Sequence, residues 1–140
     1  MALSLFERVT VEILDFHRFF VAWYDAATAG STDFDRCERV FGPGFHMLPP
    51  TGKIFDRLQA IDLIRANRAT FNGDFFIEII DIVPIWQEAG AIAVTYVEKQ
   101  ERAGVKTSRR ASALFTESSS APNGVEWRHL HETWMQPAET

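Results

Sequence analysis

Cysteine is almost missing from this chain: Cys37 is the only one in 140 residues. An internal disulfide and a cysteine-based zinc cluster are therefore excluded. Basic runs are missing too. Lys and Arg number 14 against 19 Asp and Glu, a formal net charge of −5. The densest cationic spot, Lys106 with Arg109 and Arg110, is balanced by Glu98, Glu101 and Glu117. No phosphate-neutralising surface is expected, and nucleic acid is not an expected partner. No apolar run is long enough to span a bilayer, and Glu7, Arg8 and Glu12 interrupt the opening stretch, so it is not a signal-peptide core. The expectation is a cytoplasmic protein without a membrane partner. Histidine is scarce as well, with four residues, which makes their placement informative.

What the chain does have is bulk. Hydrophobic residues make up 46% of it, with twelve Phe and four Trp, enough to fill the core of one domain spanning residues 1–140. Leu5, Val9, Ile13, Phe16, Phe20, Trp23 and Ala27 recur every three or four residues and predict an amphipathic helix ending near Gly30. Ser31 or Thr32 can cap a short second helix with Phe34, Cys37 and Phe41 inward, stopped by Gly42-Pro43-Gly44. Phe45-His46-Met47-Leu48 reads as a short strand, and Lys53-Ile54-Phe55 as its return. Asp56 caps a third helix with Leu58, Ile61 and Ile64 on its face.

The period then changes from helical to strand-like. Phe75–Gln87, Ala91–Glu101, Val105–Glu117 and Val125–Met135 read as four long strands joined by short turns, which is an antiparallel meander. Pro84 marks an edge or a bulge in the first of them. The fold class is α+β, with three N-terminal helices packed on one concave face of the sheet.

The last strand is the richest in chemistry. Strict alternation puts Trp127, His129, His131, Thr133 and Met135 on one face and Glu126, Arg128, Leu130, Glu132 and Trp134 on the other. Histidine titrates near neutrality and serves as acid, base or ligand. His129 and His131 are candidate catalytic groups on a pocket wall; the alternative is a subunit contact or cross-strand hydrogen bonds. His-x-His with His46 also sketches a metal site, but the ligand set is incomplete, so no metal and no cofactor are expected. His17 reads as a satisfied core or boundary residue. Tyr24, Tyr96 and Trp86 are candidate pocket walls, with Trp23, and the bland reading of large aromatics at these spacings is core. Arg109 and Arg110 lie on opposite faces of one strand, so one of them points inward; Arg110 and His46 are ligand-binding candidates. Asp81, in step with Phe75, Ile77 and Ile79, is a candidate inward base, with Glu78 on the other side.

Three passages carry a resemblance that covers nearly the whole chain. They are FHRFFVAWYDAATAG followed by FDRCERVF, then FHMLPPTGKIFDRLQAIDLI, and the closing VEWRHLHETWM. Their order and spacing resemble the nuclear transport factor two-like superfamily, the cystatin-like α+β cone that includes ketosteroid isomerase, SnoaL-like polyketide cyclases and the calmodulin-dependent kinase II association domain. The resemblance implies a strongly curved sheet forming a cone with an internal cavity, and commonly a homodimer through the sheet's outer face. Leu130 and Trp134, placed outward by alternation, point the same way as that homodimer. The superfamily hosts both enzymes and binders, so two functions stand open. One is a cavity-containing module that binds a small molecule or mediates association. The other is a cofactor-independent isomerase or dehydratase acting on a small carbonyl or hydroxyl compound with histidine acid–base catalysis. No signature of an enzyme branch is matched, and no catalytic residue is carried over.

Overall fold

A computed structural model describes residues 2–136. Ser4 opens helix α1 (Leu5–Tyr24) with a capping box: its side chain accepts from the Glu7 backbone N–H while Glu7 reaches back to the Ser4 N–H. The helix ends at Tyr24, one turn short of the predicted stop, and Ala29–Ser31 form a single 3₁₀ turn. Helix α2 (Asp35–Val40) starts after Phe34, so neither Ser31 nor Thr32 caps it. Strand β1 (Phe41–Leu48) begins earlier than expected and runs through Gly42-Pro43-Gly44. Gly42 is required there, because a Cβ would lie 2.7 Å from the Glu126 Cδ and 2.8 Å from the Arg128 Cδ. After β2 (Phe55–Asp56), Asp56 and Gln59 form the second capping box and start α3 (Arg57–Ala66). This helix buries Ala60, Ile61 and Ile64; Leu58, expected on that face, is exposed.

Strands β3 (Phe75–Glu88), β4 (Ala91–Arg102), β5 (Val105–Glu117) and β6 (Val125–Trp134) form the antiparallel meander. The sheet has six strands in the order β2-β1-β6-β5-β4-β3, curved and unclosed. The one parallel pair is β1 with β6, which the meander pattern did not predict. The three helices and the two short strands are interleaved in the first half of the chain, so the helical part is not a block by itself. Among the described residues no helix is long and apolar enough to cross a membrane.

Register slips once between β1 and β6, and three further interruptions, two in β3 and one in β6, decide which residues face the helices. In β3 the ladder slips between Ile80 and Val83, and again between Pro84 and Trp86, in the segment marked by Pro84. Asp81 is the bulged residue, at φ 57°, a backbone region that Asp tolerates better than most. In β6 the ladder slips beside Leu114 and Phe115: Leu114 pairs with His129 and Phe115 with Trp127, leaving Arg128 unpaired. A one-residue bulge reverses the facing of everything beyond it.

The core is sealed from its centre by a carboxylate. Glu12 is fully buried on α1 and accepts two hydrogen bonds from Arg36 on α2 (2.6 and 3.0 Å), one from Asn123 (3.0 Å) and one from the Trp127 indole N–H (3.0 Å). Around it pack Val9, Ile13, Phe16, Val40, Phe45, Phe115 and Trp127. Removing one member of a buried charge pair strands the other. Glu12→Ala is therefore expected to lower the unfolding free energy by about 3–5 kcal/mol in urea titrations, and Asn123→Ala by clearly less; equal losses would mean that the carboxylate is not the centre of the network.

Candidate functional site

Alternation along β4 sends Ile92, Val94, Tyr96, Glu98 and Gln100 to the helix side, and all five are buried. The last polar pair therefore enters an apolar interior, and α1 meets it with a histidine. His17 donates Nδ1–H to the Ile13 carbonyl (2.7 Å) and its Nε2 lies 2.9 Å from the Glu98 Oε1. Gln100 donates to the other Glu98 oxygen, and Arg102 Nε donates to Gln100 Oε1 at 2.7 Å. Arg109 from β5 and Glu132 from β6 complete the polar end, 3.5 Å apart, with the Arg109 guanidinium 4.7 Å from the Trp134 ring centre.

These side chains border a pocket of about 340 Å3 between the sheet, α1 and α3. Its other walls are apolar: Phe16, Phe20, Tyr24, Phe41, Phe75 and Leu130 among them. Among the described residues two buried polar atoms at this end have no partner, the Tyr96 hydroxyl and the Arg109 Nε. Tyr96 lies edge-on to His17, ring centres 5.8 Å apart.

The electrostatics follow from burial and neighbours. For His17, burial favours the neutral ring, but the Glu98 carboxylate overrides it and raises the pKa. For Glu98, burial acts upward and loses to the His17 charge and hydrogen bond, so its pKa falls to about 2. Glu132 has no such partner. Burial, then the Glu98 charge, push it up to about 7, against the pull of Arg109. Burial drives Tyr24 up to about 12 and Tyr96 well above the ordinary value. The site thus holds a charged His–Glu pair beside a carboxyl that changes protonation near neutrality.

The residues singled out in the sequence scatter around this pocket. Tyr24 lines it, and Tyr96 lies behind its wall with the hydroxyl unpaired. His129 and His131 do not line it: the Arg128 bulge puts Trp127 inside, then Leu130 and Glu132, and sends both histidines to the opposite face. Leu130 and Trp134, read as outward, lie on the helix side of the sheet, Leu130 in the pocket wall and Trp134 against Arg109 but still exposed. His46 sits on the outer face beside His129. Trp86 is exposed near the end of β3. Of the two adjacent arginines it is Arg109 that points inward; Arg110 is exposed. Asp81 is exposed at its bulge, and Ile82 takes the inward position. Glu98 and Gln100 had a readable signal in the even positions of β4. Glu132 had none, because the bulge that turns it inward leaves no turn residue behind.

No protein-family model and no curated protein matches the chain. Solved structures do. A nuclear transport factor two-like protein of unknown function from Pseudomonas aeruginosa superposes with a TM-score of 0.81 at 23% identity, covering 92% of this chain and 99% of that one. An uncharacterised protein with a cystatin-like fold from Caulobacter vibrioides gives 0.65 at 18%, over 91% and 88% of the two chains. The calmodulin-dependent kinase II hub of S. rosetta gives 0.70 at 14%, over 96% and 100%. Identities this low speak for shared architecture, and the architecture agrees with the element order, the bulged sheet and the helix-covered face. The chain therefore has the fold of nuclear transport factor two-like and cystatin-like proteins.

Proposed function

We propose that the pocket is a ligand cavity and that the protein binds a small, mostly apolar molecule carrying one polar oxygen function. The observation that carries this reading is Arg109 Nε, a buried group on the pocket wall with no partner among the described residues, at the polar end of an otherwise mostly apolar pocket. A buried polar atom without a partner costs free energy, and a ligand oxygen at that end would recover it. The volume of about 340 Å3 lies at the small end of ligand pockets, roughly 300–1,000 Å3. Apolar walls with a few convergent polar groups are the usual composition of such sites.

A second reading, an isomerase- or dehydratase-type enzyme, is favoured by one observation. Glu132 is poised near neutrality within the same pocket as the His17–Glu98 pair, and a general acid or base works best with its pKa near the operating pH. In this form the acid–base groups are Glu132 and His17, not His129 and His131.

The homodimer proposed for this chain uses the outer sheet face. Phe76, Val83 and Trp86 of β3 are exposed, and Val83 and Trp86 pair with Thr95 and Ala93, on the side of β4 away from Val94 and Tyr96. That is a better apolar patch than Leu130 and Trp134, which lie on the helix side of the sheet. The hub named among the similar structures supports association as a use of this fold.

Three measurements test these proposals. In thermal-shift screening with small apolar ketones, enones and carboxylic acids, at least one compound is expected to raise Tm by several degrees at saturating concentration. Arg109→Leu should abolish the shift; a panel without effect overturns the cavity reading. Solvent deuterium entering next to the carbonyl of a bound ketone, and lost in Glu132→Gln, would favour the enzyme over the binder. Light scattering should give a dimer mass that Trp86→Glu reduces to a monomer; a monomeric wild type refutes the dimer.

A fourth measurement follows proton linkage. Because the folded pKa of Glu132 is raised from 4.5 to about 7, its contribution to stability is present below about pH 4.5 and lost as pH rises toward 7. Glu98 acts in the opposite sense, its contribution being present above 4.5 and lost as pH falls toward 2. His17, with a raised pKa, adds stability below its ordinary value of 6.5 that fades above it. Urea midpoints should therefore decline from about pH 5 to 8. Glu132→Gln should flatten the part of that decline below pH 7; an unchanged profile would place the titration elsewhere.

A further inference from the structure

Three of the four histidines meet on the sheet face opposite the pocket. The parallel pairing of β1 with β6 makes His46 and His129 direct neighbours, and His131, two residues further on, shares their face. The ring centres of His46 and His129 are 4.7 Å apart, and those of His129 and His131 6.4 Å. We propose that His46, His129 and His131 form a binding site for one divalent transition-metal ion that prefers imidazole, zinc or copper(II). This site is separate from the pocket, and the proposal does not rest on the reading of the pocket.

Spacing is the first argument. Two imidazoles on one tetrahedral zinc, with Zn–N bonds near 2 Å, have their ring centres about 5 Å apart. The His46–His129 separation already matches that of a chelating pair.

Orientation is the second. His46 Nδ1 lies 3.1 Å from the Gly44 carbonyl, which can only accept, so Nδ1 carries the proton and the lone pair is on Nε2. A backbone carbonyl holding the far ring nitrogen is the usual outer support of a metal-binding histidine. Gly44, at φ 75°, makes the turn that presents this carbonyl.

The surroundings are the third. The charged side chains at neighbouring register positions are Arg110 on β5, two pairs along from His131's partner Ser112, and Asp56 on β2 opposite His46. Asp56 accepts the Gln59 N–H at 2.9 Å as the cap of α3 and does not compete for the imidazoles.

Among the described residues no group of three His, Cys, Asp or Glu already encloses a point. Closure requires His131 to swing toward the other two. It is exposed, so the motion costs side-chain freedom and breaks no packing. Water completes the coordination shell, as at an open site.

Calorimetric titration of the untagged full-length protein with zinc sulfate, and separately with copper(II), should show one ion per chain at micromolar affinity. His129→Ala and His131→Ala should each weaken it by at least about tenfold. Copper(II) paramagnetic resonance should show nitrogen couplings that decrease in number in each variant. Circular dichroism of the variants should match the wild type, since both histidines lie outside the core. Binding that either variant leaves unchanged, an absence of saturable binding, or one ion per two chains would each overturn a site built from these three residues in one chain.

Discussion

Glu12 is the constraint on which the rest of this structure depends. It is a carboxylate with no access to solvent, on the middle of the first helix, and four hydrogen bonds reach it from three other parts of the chain. Each bond fixes something. Arg36 sets α2 against α1, Asn123 holds the β5–β6 connection, and the Trp127 indole ties the closing strand to the opening helix. A charge taken out of water is tolerated only when its lone pairs are all used, so the three partners are held to one arrangement. Apolar packing alone would allow α1 to slide along the sheet with little change in buried area. The bonds to Glu12 do not allow it, and they fix which turn of α1 faces β4.

His17 is thereby delivered to Glu98. The two carboxylates, Glu12 and Glu98, are buried at successive levels of the same helix–sheet interface, five residues apart along α1 if measured from Glu12 to His17. The first is saturated by partners that leave nothing for chemistry. The second is shared: one oxygen faces His17, the other Gln100, and the next carboxyl, Glu132, has only Arg109. Structure and site are thus built from the same materials. What separates them is satisfaction, complete at Glu12 and incomplete around Tyr96 and Arg109.

Much of the fold was legible in the sequence because its signals are periodic. The α1 stripe, the Asp56 cap, the four long strands and their turns all follow from spacing and turn chemistry, and Pro84 marked the bulged segment of β3. The parallel β1–β6 pair was not legible, since nothing local in Phe41–Leu48 names its partner. The site was read in part. Glu98 and Gln100 follow in step from Ile92, Val94 and Tyr96, yet Glu98 reads from the sequence as a counter-charge to Lys106, Arg109 and Arg110. His17 was assigned to the core, which is where it lies, but its partner could not be named from a helix alone.

The closing strand shows why the remainder failed. Strict alternation is a two-state clock, and a single unpaired residue resets it. Arg128 carries no signature of a bulge: it is neither Gly nor Pro, and it stands between Trp127 and His129 in an unbroken strand pattern. It lies where β1 crosses: a Cβ at Gly42 would force the Glu126 and Arg128 side chains to shift, and the β1–β6 register also slips there. The slip exchanges two histidines for a leucine and a glutamate on the pocket wall. It also gathers those histidines beside His46 on the other face. One backbone irregularity therefore sorts the titratable groups of this protein into two sets. The carboxyls and His17 lie under the helices, where burial tunes them, and the other three imidazoles lie on the outer face, where they keep access to water. Within a fold whose members share so little sequence, which side chains enter the pocket depends on the position of such bulges as much as on residue identity.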